Sequence, residues 1–303
     1  MNIKINGITL DVSLEKEKYV GEILSEIAKW LSDSGHVLSG LSVDGKEVSV
    51  SKIEDVFKKE ISSVEILDIK TETVAFLTSS SLASLLEDIK KFENLNYEEK
   101  TKFYNNWKES ACANFIKDET PELFTLCENT FLRGELSCQI LTSIAEERLR
   151  EVDDPDKEFA NIEPILNNIC DKLVDLPLDI QTGKETQAAQ TIQLFTAVTE
   201  KILRIYYQLD IQGYFIKRKD KNTSKNKEQA DSVYAEQLNA DNEKIIEKIT
   251  EFTSILQELF TAYQKNDSVL VGDLAEYEAS VRIKEIYTTI MSKIQIPDME
   301  KQR

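Results

Sequence analysis

Hydrophobic and polar positions change period along this chain, and the changes divide it. Ile3 and Ile5 alternate with polar residues, Asn6-Gly7 follows, and Ile8, Leu10, Val12 and Leu14 alternate again. Alternation puts every second side chain on a core, and Asn-Gly between two such runs predicts a hairpin, because a type I′ turn needs positive φ at both central residues. The period then lengthens. Val20, Ile23, Leu24, Ile27 and Leu31 fall at helical spacing, which predicts an amphipathic helix with Gly35 at its left-handed C-cap. Leu41 and Val43 precede Asp44-Gly45 while Val48 and Val50 follow it, so a second hairpin is expected. A short helical stretch from Ile53 to Phe57 leads to a closing strand, Val64 to Ile69. His36, the single histidine, is expected in the loop after the helix.

From Ser79-Ser80-Ser81, which offer N-caps, helical periodicity runs to the end of the chain. Thr120-Pro121 predicts a helix start with proline first, where no amide donor is lost. Gly134 and Asp153-Asp154-Pro155-Asp156 predict breaks, and Leu176-Pro177 and Gln181-Thr182-Gly183 predict two further helix limits. Ile192, Phe195, Val198, Ile202, Ile205, Tyr206 and Leu209 form one core stripe. The stretch Lys217 to Lys227 contains no apolar residue, which predicts a mobile charged loop near 217–229. Beyond it, Leu238, Ile245, Phe252 and Leu259 recur every seventh residue, as do Asn242, Ile249, Leu256 and Tyr263. This heptad seam suits one long helix of an intramolecular bundle, with a homo-oligomeric coiled coil centred on Ile249 and Leu256 as the alternative.

The expected class is therefore α+β, a small head over residues 1–73 followed by an all-helical domain over 74–303. The ββαββ order of the head, with a short helix before the closing strand, resembles the ubiquitin-like β-grasp fold. That resemblance implies docking through an exposed sheet face and no activity. It also implies a free Gly-Gly tail in conjugating relatives, whereas here Lys70-Thr71-Glu72-Thr73 runs on into the rest of the chain. The string from Tyr263 to Glu278, which includes Val269-Leu270-Val271-Gly272-Asp273, resembles an uncharacterised family of bacterial helical proteins over roughly the last 120 residues. Gln181-Thr182-Gly183-Lys184 echoes Gln264-Lys265-Asn266-Asp267, which suggests duplicated helical hairpins.

Composition narrows the classes. The 303 residues are 41% hydrophobic, enough for real cores, and carry 37 basic against 55 acidic side chains, a formal charge of −18. Such a balance repels nucleic acid and anionic membrane surfaces, so protein partners are expected and nucleic acid is not. No run approaches the ~18 consecutive apolar residues of a membrane span, and the N-terminus does not read as a secretory signal, so a cytoplasmic location is expected. Cys112, Cys127, Cys138 and Cys170 fall 15, 11 and 32 residues apart in helical apolar patterns, neither a disulfide framework nor a zinc spacing.

The motifs that would carry chemistry fail on their own geometry. Gly183-Lys184 resembles the end of a phosphate-binding loop, but Leu178 stands where its first glycine belongs and Glu185 where the magnesium-binding Ser or Thr belongs. An EF-hand loop counted from Asp153 would place Glu158 at its glycine position and Pro164 at its bidentate glutamate. A lone histidine cannot supply a His-based metal site. No catalytic, cofactor or metal-ligating residue is therefore expected. The expectation is a non-enzymatic protein-binding adaptor, scaffold or chaperone-like protein, with Ser42, Asp44, Lys46 and Glu47 on the sheet as its binding residues. An enzyme or small-ligand protein with a site between helices is one alternative, and a homo-oligomer or homodimer built on the heptad seam, through Ile249 and Leu256, is another.

Overall fold

The computed structural model describes residues 1–10, 17–33, 35–49, 52–215 and 227–294, the side chains of 33 and 227–242 excepted. Val12, Leu14, Val50 and the charged stretch up to Asn226 lie outside the described residues. The protein is of the α+β class, and it divides into two compact units, Met1–Leu149 and Arg150–Arg303.

In the first unit, β1 (Asn2–Ile5), β2 (Ile8–Thr9), β3 (His36–Val43), β4 (Lys46–Glu47) and β5 (Ile66–Thr73) form one mixed sheet in the order β2-β1-β5-β3-β4. β1 and β5 run parallel at its centre, and the other pairs are antiparallel. Both turns have the expected conformation, with Asn6 at φ 50°, Gly7 at 78°, Asp44 at 50° and Gly45 at 77°. Asn6 also ties its turn to β5, accepting from Thr71 N at 2.9 Å and donating to Thr71 Oγ1 at 3.0 Å. His36 departs from expectation. It opens β3 opposite Thr73, because the chain leaves the preceding helix through Gly35, at φ 68°, directly into the sheet.

One sheet face is covered by α1 (Val20–Asp33) and α2 (Ile53–Phe57). Val20, Ile23 and Leu24 from α1, with Val56 from α2, pack on Ile3, Leu41, Val43, Leu67 and Ile69. Burying each such side chain contributes roughly 1.5–3 kcal/mol. β5 passes without a loop into α3 (Val74–Glu93), and Thr73 is the N-cap, its side chain accepting from Phe76 N at 3.1 Å. Ser79, Ser80 and Ser81 thus lie inside α3, since Thr73 caps the helix a turn and a half earlier. α4 (Tyr97–Trp107) starts with a capping box between Asn96 and Glu99. α5 (Ala111–Glu119) and α6 (Pro121–Glu128) follow, and a π-helical turn, Asn129–Arg133, ends at Gly134 with φ 67°. An aromatic cluster fills this region, with Trp107 stacked on Phe124 and edge-on to Phe131, and Phe131 against Phe92. α7 (Cys138–Asp153) closes the series, its residues from Arg150 onward belonging to the second unit.

The second unit contains α8 (Pro155–Ala160), α9 (Glu163–Gln181), α10 (Glu185–Ile211), α11 (Lys227–Gln264), α12 (Ser268–Asp273), a π-helical segment Leu274–Ala279 and α13 (Ser280–Ile294). α11 begins at Lys227, inside the stretch expected to be loop. Pro177, expected at a helix limit, lies inside α9, which continues to Gln181. Gly183 at φ 74° and Asn266 at φ 54° end α9 and α11, and both turns carry the same hydrogen bonds. Lys184 N donates to Asp179 O and Gly183 N to Ile180 O, as Asp267 N does to Ala262 O and Asn266 N to Tyr263 O. The core is apolar. Leu173, Ile202, Ile205, Ile245, Phe252, Ile283 and Ile290 are almost fully excluded from solvent, and Phe195 meets Phe252 edge-on.

Candidate functional site

Period-two alternation that sends Ile3, Leu41 and Leu67 into the core sends Lys4, Ser42 and Asp68 to the opposite sheet face. The strand registers then line these residues up. Thr9 pairs with Lys4, Lys4 with Asp68, Asp68 with Ser42, and Ser42 with Glu47, one polar row across all five strands. Thr9 and Glu47 are exposed, and Lys4, Asp68 and Ser42 are half-buried. A second charge stands beside the row. Lys70 Nζ donates to Glu47 Oε1 at 2.8 Å, passing over β3 at Gly40. A Cβ on Gly40 would sit 3.2 Å from Lys70 Cδ and 3.3 Å from its Cβ, so the missing side chain leaves room for that crossing. The bond holds the Lys70 ammonium above its ordinary range and the Glu47 carboxyl below its own.

The four expected sheet residues separate. Ser42 and Glu47 stand in the row. Asp44 is occupied structurally, its Oδ1 accepting from Glu65 N at 2.9 Å and Ile66 N at 2.8 Å to fix the start of β5. Lys46 pairs with Val43 and so belongs to the other face, at its edge. Lys4, Asp68 and Lys70 were absent from that expectation, although each sits in the polar phase of an alternating run. Both edge strands are only two residues long, which leaves little backbone for an added strand.

On the helical side, Gly21 abuts α2, and a Cβ there would lie 2.8 Å from Phe57 Cδ1 and 2.9 Å from Phe57 O. This close approach leaves a shallow, open depression lined by Tyr19, Glu22, Ser25, Phe57 and Lys58. Two of its polar side chains, Glu22 and Ser25, are already engaged. Glu22 Oε2 accepts from Lys18 N at 2.6 Å and Tyr19 N at 3.2 Å, and the Ser25 hydroxyl donates to Gly21 O.

In the second unit, two buried or nearly buried glutamates are paired with cations. Glu151, 2% exposed, accepts a bidentate pair from Arg204 at 3.0 and 2.9 Å, and Lys201 reaches Glu158 at 3.4 Å. Ile249 and Leu256, on the heptad seam expected to suit an intramolecular bundle with an oligomeric coiled coil as the alternative, are half-buried against this unit's own core beside Ile245 and Phe252. The cysteines are free thiols, Cys127 and Cys170 buried and Cys112 and Cys138 half-buried. Burial pushes Cys112 up to about 11 and raises the other three. Among the described residues no group of three His, Cys, Asp or Glu side chains is placed to hold a metal ion, and no helix is long and apolar enough to cross a membrane.

Residues 1–73 are similar to the family described as TP0873 N-terminal domain, and residues 158–289 to a domain of unknown function, DUF8042. An uncharacterized protein of Treponema pallidum (strain Nichols) is 29% identical over 89 residues, which is 29% of this chain and 42% of that relative. The chain thus spans less than half the length of the curated relative it matches. No solved structure matches it.

Proposed function

We propose that this chain is a non-enzymatic adaptor or scaffold, and that its N-terminal sheet is a ubiquitin-like β-grasp head that docks protein partners through its outer face. One observation carries the reading: the row Thr9, Lys4, Asp68, Ser42 and Glu47 spans all five strands on the sheet face opposite α1 and α2. The parallel pairing of first and last strands at the sheet centre, with α1 packed across one face, supports the β-grasp assignment. The row presents both signs of charge, with Lys4 and Lys70 beside Asp68 and Glu47, and such a surface selects a partner by complementary charge more than by apolar area. Two-residue edge strands favour docking on the face over strand addition at the edge. The paired state of Glu151, Glu158, Lys201 and Arg204, and the engagement of Glu22 and Ser25 beside Gly21, favour binding over catalysis.

The test is capture of partners by the full-length chain with cross-linking and mass spectrometry, comparing wild type with Lys4→Glu and Lys70→Glu. Each substitution is expected to weaken a captured partner by about tenfold, and cross-links should concentrate on the sheet face. An unchanged partner set with cross-links elsewhere would refute the docking face.

A further inference from the structure

A strip of the solvent side of α11 between Ile246 and Gln264, centred on Thr253, is uncharged in a chain 30% charged, while the exposed Glu247, Glu251 and Glu258 stand beside it. Glu247, Lys248, Glu251 and Glu258, the charged residues of that stretch, all lie about 120° or more around the helix from Thr253. Thr250, Thr253 and Thr261 turn their hydroxyls back to Ile246 O, Ile249 O and Gln257 O at 2.8, 2.9 and 2.8 Å. With its hydroxyl bonded within the helix, each threonine offers its methyl group outward. Ile246 is 55% exposed and Phe260 53% exposed on the same strip. The result is an uncharged face about 27 Å long, apolar apart from the exposed Gln257 and Gln264.

We infer that this face binds a second copy of the chain, α11 against α11 in antiparallel orientation about a two-fold axis at Thr253. Three features select that occupant. The large exposed side chains, Ile246 and Phe260, stand seven residues to either side of Thr253, so the two-fold axis sets Ile246 of one copy against Phe260 of the other, twice. The small residue falls at the crossing point, where two helices approach most closely. The face also lacks charge, so two molecules of net charge −18 can meet there without opposing like charges. Two such faces bury on the order of 1,000 Å² in total, the lower end for specific association, so the dimer is concentration-dependent. This contact is separate from the half-buried Ile249 and Leu256, and it does not depend on the role of the sheet.

Sedimentation velocity of the full-length protein over a concentration series tests it. The wild type is expected to move from monomer to dimer, and Phe260→Glu to raise the dissociation constant by at least about tenfold. Adding Ile246→Lys to Phe260→Glu is expected to restore the dimer, since the introduced lysine faces the introduced glutamate of the other copy only in the antiparallel arrangement. Unchanged circular dichroism and Tm identify the variants as folded, as expected for side chains more than half exposed. Independently, Thr253→Cys in the otherwise native chain should give, under mild oxidation, a cross-linked peptide joining position 253 to itself. A wild type that stays monomeric throughout, a Phe260→Glu variant that dimerises as wild type does, a double variant without recovery, or no self-linked peptide would each overturn the assignment.

Discussion

A Cβ placed on Gly272 would lie 2.8 Å from Cγ of Pro177, so α12 rests directly on the proline ring of α9. Proline inside a helix withdraws one amide donor and bends the chain, and here the ring supplies a surface on which only a glycine fits.

Gly272→Ala is therefore expected to destabilise the protein by about 1–3 kcal/mol, although alanine is the better helix former. The clash is with a rigid ring, so backbone must shift. In a Pro177→Ala background the same change should be nearly neutral or stabilising. Urea denaturation of the four variants of this cycle measures the coupling, and additive effects would count against the contact.

Arg204→Met leaves Glu151 buried without its bidentate partner. The expected loss is roughly 3 kcal/mol, tempered because the Arg204 side chain is a quarter exposed. Replacing both residues by apolar ones of similar size should recover much of it, as Tm measurements would show. Equal losses in the single and double variants would argue against the pair.

Gly40→Val should push the Lys70 side chain off its path to Glu47. The Lys70 amine is then expected to titrate lower, nearer its ordinary 10.5, and the Glu47 carboxyl higher, nearer 4.5. Both groups are exposed, so Tm should change little. NMR titration of the two side chains provides the measurement.

Burial raises the Cys112 thiol from 9.0 to about 11 and the Tyr206 phenol from 10.0 to about 12. In each case the folded state keeps its proton to higher pH than the unfolded state. Their contribution to stability is full below pH 9 and falls as pH rises through 9 to 11 for Cys112 and 10 to 12 for Tyr206. The urea midpoint is expected to be lower at about pH 10.5 than at about pH 8. Alkylation of Cys112 near neutral pH should be much slower than that of a free thiol, because the thiolate is the reactive form.

Local conformational demands were legible in the sequence wherever one or two residues set them. Asn6-Gly7 and Asp44-Gly45 adopt the positive φ values their side chains tolerate, and Gly35, Gly134 and Gly183 end their elements in left-handed conformation. The hydrophobic period of Val20, Ile23 and Leu24 placed α1 for the same reason, since one face must leave water. Pro177 misled because a proline costs a helix only what its surroundings fail to return, and Gly272 lies far away in sequence. His36 misled because strand pairing with Thr73 is a contact over 37 residues, invisible to local propensity.

The candidate site divides the same way. Alternation along β1, β3 and β5 already determined that Lys4, Ser42 and Asp68 share a phase opposite the core, because side-chain direction in a strand has period two. Only the tertiary structure decided that these residues form one row, that Lys70 passes over Gly40 to Glu47, and that Asp44 and Lys46 stand outside the row. Strand order and register arise from packing among all the strands and helices at once, and no single segment contains that information.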